Sequence, residues 1–318
     1  MSKKQVQIFK PEDCLNDMLH GLTQGKVKGT TTYNERLDNA WTWRQQEFNI
    51  WTGMANEGKS AFIRQLCLIK ALEEHVGFIF ASPEDYPPSE FFDDMIHTLA
   101  GITTDNTYNN YISKELYIHC YELIKPYFHF VYIKPPFNTV ENTIEEAEKI
   151  VKTNKIAGLI IDPILKFSKS ASAPDRDDQY AGYIGALLTD TSRVQNLSVH
   201  LVMHQLTPKV NEFGLYPKPN MYTVKGGGSW ADGVDNVLFV QRPQYAKNKE
   251  DTTVLFGSQK IKKQKLVGIP QEVELGFDRI TNRYRITDST GSPQDLFDFD
   301  KFIKKPYKTL SIEDEKDI

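Results

Sequence analysis

The chain has 318 residues, 40% hydrophobic and 25% charged, with a formal net charge of −4. That composition allows a sizeable core and excludes disordered, collagen-like and disulfide-stapled classes. No run approaches eighteen apolar residues, Cys14, Cys67 and Cys120 lack metal-type spacing, and the mild acidity sends any nucleic-acid contact to local patches.

Residues 1–30 are expected to form an arm with one short helix near 12–22 and a polar GKVKGTTT connector. The start, MSKKQVQIFKPED, lacks the apolar middle of a signal peptide, so a cytoplasmic location is expected, the host's cytoplasm for a viral protein. A strand at 48–52 ends at Gly53, and residues 59–74 follow with helical spacing. Next come a strand at 76–81, a helix at 88–100 ending at Gly101, a helix at 112–124 and a strand at 128–133. Residues 139–153 read as an amphipathic helix with Val140, Ile144, Ala147 and Val151 on one face. The segment 157–162 is almost all apolar, as in a strand covered on both faces. A helix near 178–195 precedes a strand at 198–203. Later strands, at 234–241, 252–260, 271–277 and 283–287, have no long helices between them. This order predicts an α/β fold: a mostly parallel sheet flanked by helices, with late antiparallel strands. Residues 31–290 read as the folded domain and 291–318 as a basic-then-acidic tail. The 205–229 segment is long, aperiodic and rich in Pro, Gly and Lys, which marks it as a functional loop.

Gly53-Met-Ala-Asn56-Glu57-Gly58-Lys59-Ser60 fits the full G-x-x-x-x-G-K-[ST] pattern between a strand and a helix. Its backbone amides are expected to curl around a phosphate, with Lys59 reaching the β/γ oxygens and Ser60 holding Mg²⁺. Asp162, at the carboxyl end of a buried strand, points to the crevice where a parallel sheet binds ligand and is the second candidate on the Mg²⁺ side. Glu84 follows the second strand and is the candidate for orienting and deprotonating an attacking water; Asp85 is an adjacent competitor. ATP and Mg²⁺ are therefore the expected cofactors.

With GTTTYNERLDNAW (29–41), GMANEGKS (53–60), FASPE (80–84), LIIDP (159–163), LVMHQLTPK (201–209), GGSWADGVDNVLFVQR (227–242) and KKQKLVG (262–268) in this order, the chain resembles a family. It looks like the RecA-like motor domain of DnaB-type replicative hexameric helicases, phage and Twinkle-like members included. The likeness covers about residues 29–287, and a compact lone motor suits a phage. It implies an ATP hydrolase that moves on single-stranded DNA during replication, in a homo-hexameric ring, with primase or other replisome proteins as partners.

Carried over by residue, the resemblance makes Glu84 the catalytic glutamate and Gln205 the γ-phosphate sensor, with His204 as rival. It gives Lys225, before Gly-Ser, a DNA contact. Where relatives carry K-x-R as a trans-acting finger, this chain has Lys263-Gln264-Lys265, which lacks the planar fork of arginine. If the segment is a strand, both lysines leave one face. Two loops are candidates for DNA contact, 168–180 with Lys169 and Arg176, and 206–229 with Lys209, Lys218 and Lys225. The arm helix is a candidate for docking on a neighbouring subunit. A second reading is a RecA-like ATP- and DNA-binding recombination or loader protein with little unwinding activity.

Overall fold

The structure, a computed structural model, describes residues 8–206, 209–224, 227–288 and 290–304. Its first half contains α1 (Leu15–Thr23), α2 (Glu35–Ala40), β1 (Phe48–Gly53), α3 (Lys59–Glu74), β2 (Gly77–Ala81), α4 (Pro88–Ala100), α5 (Lys114–Ile124), β3 (Phe128–Phe130) and α6 (Val140–Val151). The second half contains β4 (Ile156–Ile161), α7 (Asp177–Val194), β5 (Ser198–His204), α8 (Gly228–Gly233), β6 (Asn236–Gln241) and β7 (Thr253–Ile261). It ends with α9 (Gln264–Val267), β8 (Glu272–Asp278), β9 (Arg283–Thr287), β10 (Pro293–Asp295) and α10 (Asp300–Ile303).

All ten strands share one sheet in the order β10-β9-β8-β7-β6-β1-β5-β4-β2-β3. From β6 to β3 the neighbours are parallel, and from β6 to β10 they are antiparallel. The expected α/β class with a late antiparallel extension is the observed one. β1 lies between β5 and β6, and all of Phe48–Gly53 is buried. A central strand with helices on both faces has no solvent side, which is why its sequence does not alternate. Successive residues of β1 feed opposite cores: Trp51 belongs to the one that holds Phe62, Leu66 and Phe80, and Ile50 to the one that holds Ile79, Leu159 and Leu188. Truncating a ring such as Phe62 to alanine costs about 3–5 kcal/mol.

Helix ends follow local chemistry. α4 stops at Gly101, whose φ of 66° suits the left-handed cap that glycine adopts without strain. Thr139 caps α6 by accepting from the Asn142 amide. β3 is shorter than expected from its apolar run, because its ladder partner β2 ends at Ala81 and pairing stops at Phe80 and Phe130.

Two segments differ more. The stretch after β7 is the short helix α9 with Lys263 at its N-cap, not a strand, so Lys263 and Lys265 do not leave a common strand face. Gly268 closes it with its amide on the Gln264 carbonyl. Within the expected tail, β10 pairs with β9, and Phe297 and Phe299 are buried. The apolar Leu296-Phe297 and Phe299 side chains have a core to enter, so the folded unit continues past residue 290.

Candidate nucleotide-binding site

The phosphate loop leaves the carboxyl end of β1 and enters α3, so the first amides of that helix aim at whatever the loop encloses. Two glycines are required by close approach. A Cβ on Gly53 would meet the Val240 carbonyl, and one on Gly58 (φ 87°) would meet the Tyr284 hydroxyl. Tyr284 donates from that hydroxyl to the Gly58 carbonyl at 2.8 Å. Asn56 takes a left-handed φ of 61°, which asparagine tolerates better than most residues. Glu57 points inward and accepts from the Met54 amide at 2.7 Å. Burial raises its pKa to about 7, against the Met54 bond and the charges of Lys59 and Arg242.

Lys59 is also buried, with Nζ donating to the Met54 carbonyl at 2.6 Å and lying 3.4 Å from His204 Nδ1. Burial lowers its pKa, while Asp162, Glu57 and Glu84 favour the charged form. Burial lifts Asp162 to about 6 and Asp85 adds to the lift; a hydrogen bond with the Ser60 side chain works against it. Asp162 and Ser60 are thus brought together as the sequence reading required. A buried carboxyl whose pKa is raised by burial, beside a hydroxyl, is a hard-oxygen donor set that fits Mg²⁺. Among the described residues no group of three or more His, Cys, Asp or Glu could hold a metal by itself.

The Glu84 and Asp85 carboxylates are held differently. Asp85 accepts from Ser82 Oγ at 2.8 Å and lies 3.8 Å from Arg64 of α3. Glu84 is exposed, 3.3 Å from Lys166, and its charge acts on both Lys59 and His204. Of the two, Asp85 is engaged within the turn, and Glu84 is the one whose charge acts on Lys59.

At the end of β5 the two sensor candidates face different ways. His204 is half-buried beside Lys59, and burial and that lysine lower its pKa. Gln205 donates to Thr52 Oγ1 at 2.7 Å and to the Asn220 carbonyl at 2.9 Å, and accepts from the Thr223 hydroxyl. Its backbone amide reaches the Gly53 carbonyl at 3.1 Å. Gln205 therefore joins the strand behind the phosphate loop to residues 220–223. The same stretch is tied to β7, where Gln259 accepts from the Met221 amide.

One part of the site was not read from sequence. A cavity of about 450 Å³ adjoins the phosphate loop and is lined by Asn56, Gly58, Arg242, Tyr245, Lys249 and Tyr284, among others. Arg242 stacks over the Tyr245 ring at 4.2 Å and Lys249 at 3.6 Å. The basic-aromatic run RPQYAKNK after β6 was the available signal.

The remaining candidates are scattered. Lys263 lies 3.7 Å from the buried Glu47, which Arg44 also engages at 2.8 Å, at the amino end of β1 and so away from the chain's own phosphate loop. Lys265 is exposed. In the first DNA-contact candidate, Lys169 pairs with Asp177 and Arg176 with Asp178. In the second, Lys218 pairs with Glu272 at 2.5 Å, and Lys209 is exposed. Lys225 lies outside the described residues.

A phosphate loop at the end of a central parallel strand, with carboxylates following neighbouring strands, defines a P-loop nucleotide-binding protein with a RecA-like core. The DnaB-like helicase C-terminal domain profile matches residues 29–286, and the chain belongs to that family. The Twinkle homolog protein, chloroplastic/mitochondrial, of Arabidopsis thaliana is 24% identical over 296 residues, covering 87% of this chain. The chain spans 39% of that relative's length. A solved ATPase domain superposes with a TM-score of 0.72 at 16% identity, over 87% of this chain and 99% of that one. A DnaB-like replicative helicase, described with its interactions with primase, gives 0.70 at 15% identity, over 86% and 67%. Family ATPase domains of this kind use nucleotide with Mg²⁺. Among the described residues no helix is long and apolar enough to cross a membrane.

Proposed function

We propose that the chain is an ATP-driven DNA helicase that moves on single-stranded DNA during replication as a homo-hexameric ring. The observation that carries this reading is the pair at the end of β5: His204 beside Lys59, and Gln205 joining Thr52 to residues 220–223. A change at the phosphate loop thereby has a direct route into the loop that faces DNA.

In this reading, Lys59 and the amides of Asn56, Glu57 and Gly58 hold phosphates, and Ser60 with Asp162 holds Mg²⁺. Bound ATP supplies the bond whose hydrolysis drives movement. Glu84 orients and deprotonates the water, His204 senses the terminal phosphate, and Gln205 relays its state. The base lies against Arg242 and Tyr245. Lys265 acts on the neighbouring subunit's site, with Lys263 as its anchor through Glu47. Lys209, Lys218 and Lys225 supply phosphate contacts, repeated around the ring. Leu15, Met18, Leu19 and Leu22 of α1 are between 48% and 80% exposed, an apolar face suited to docking on the next subunit. Primase is the partner that the second structural relative brings to mind.

The RecA-like loader alternative is not favoured by the family match. The test is strand displacement on a forked duplex alongside DNA-stimulated ATPase, with Lys59→Ala as the inactive control. Stimulated ATPase without displacement would overturn the helicase reading and restore the alternative.

A further inference from the structure

The loop between β5 and α8 carries two aromatic side chains turned into solvent: Phe213, 67% exposed, and Tyr222, 60% exposed. Each sits on a turn fastened by an asparagine. Asn211 Oδ1 accepts from the amides of Phe213 and Leu215, both at 3.0 Å, and the Asn211 amide donates to the Leu215 carbonyl at 2.9 Å. Gly214, at φ 74°, lets the chain reverse there. Asn220 Oδ1 accepts from the Tyr222 amide at 2.8 Å, and Asn220 itself is held by Gln205. Both rings are thus presented by closed local geometry, at a low entropy cost for ordering them on a ligand.

Charge separates two zones of the same loop. The cations described, Lys209 and Lys218, flank the 211–215 turn, and Lys218 is already paired with Glu272. The turn itself carries Glu212 next to Phe213 and no cation. A carboxylate there repels phosphates, so this turn is unsuited to the backbone of a nucleic acid. Any nucleobase has a π-face for an exposed ring.

We propose that Phe213 and Tyr222 are base-stacking residues, receiving nucleobases of the single strand whose phosphates the lysines of the loop hold. The proposal rests on the reading of this loop as the DNA site. It adds a contact independent of salt to the electrostatic one, and gives each subunit a grip that requires unpaired, unstacked bases.

The experiment compares binding of oligothymidylate with an abasic strand of equal length, across a salt series, by fluorescence anisotropy with the full chain. Phe213→Ala and Tyr222→Ala should each weaken oligothymidylate binding by about 5- to 150-fold without changing the salt slope. Both should leave abasic-strand binding as it is, and Phe213→Tyr should keep the wild-type preference for bases. Lys209→Ala should flatten the salt slope on both strands. Equal loss on both strands, or no loss while Lys209→Ala flattens the slope, would overturn stacking and leave the DNA loop standing. Unchanged binding in all three alanine variants would overturn the loop as the DNA site and the stacking with it.

Discussion

Replacing Glu57 with glutamine should stabilise the protein progressively, relative to the wild type, as pH rises from 5 to 8. Glu57 is completely buried and its Oε2 accepts from Met54; the Arg242 backbone also favours its charged form. Burial raises its pKa from 4.5 to about 7. Between those values the folded chain holds a proton that the unfolded chain has released, so stability falls with rising pH. The contribution is complete below pH 4.5 and is lost as pH rises through about 7. The ionisation cost comes to about 3 kcal/mol at pH 8 and under about 1 kcal/mol at pH 5. Glutamine keeps an acceptor for the Met54 amide and never ionises. Any cost of its added N–H groups is independent of pH and cancels in the comparison. The variant-minus-wild-type difference should therefore grow by about 2–3 kcal/mol from pH 5 to pH 8. With an unfolding entropy of about 2.1 cal/mol/K per residue, that is about 4 °C in Tm for a chain of this size. Thermal unfolding by circular dichroism, without nucleotide and at fixed ionic strength, reads it. A difference constant to within about 1 °C, or one of opposite sign, would refute the raised pKa and the buried carboxyl behind it.

The other expectations concern turnover. Glu84→Gln should retain ATP binding and lose hydrolysis by about 10²-fold or more, whereas Asp85→Asn should chiefly lower stability through Arg64 and Ser82; normal hydrolysis by Glu84→Gln would move the base elsewhere. Gln205→Ala should lower the stimulation of ATPase by DNA more than the unstimulated rate, measured with and without oligothymidylate, and equal loss of both would sink the relay. Lys265→Ala subunits should bind ATP without hydrolysing it and regain turnover when mixed with Lys59→Ala subunits, since one interface then has both groups intact. No recovery in verified hetero-oligomers would exclude a finger in trans. Tyr245→Ala should raise the Kd for ATP by equilibrium dialysis by about 2- to 30-fold, as expected for a lost stack at a partly solvated site, and an unchanged Kd would remove the base from that cavity.

Much of the fold was legible because it depends on short-range pattern. Runs such as 157–162, apolar up to Asp162, read as strands covered on both faces, and α3, α4 and α6 begin and end close to where spacing and caps placed them. Where the pattern was ambiguous, neighbours decided. The KKQKLVG segment fits a strand as well as a turn of helix, and it becomes α9 with the Gly29 and Thr42 amides bonded to its Leu266 and Val267 carbonyls. Residues 293–299 gave no clear period, yet the open edge of β9 and the pocket for Phe299 bring them into the fold.

The same division holds at the site. A phosphate loop is encoded by its own backbone, so GMANEGKS was sufficient in the sequence to place Lys59 and Ser60. The family resemblance, likewise a matter of ordered local motifs, needed no coordinates. Tertiary structure alone decided that His204, not Gln205, faces Lys59, and that Asp85 is occupied by Ser82 and Arg64 while the charge of Glu84 acts on Lys59. It alone made a cavity beside the phosphate loop from residues near 56–58, 242–249 and 284. The physical reason is that a motif fixes which groups a segment offers, whereas the direction in which each group acts depends on the sheet order and the burial that distant segments impose.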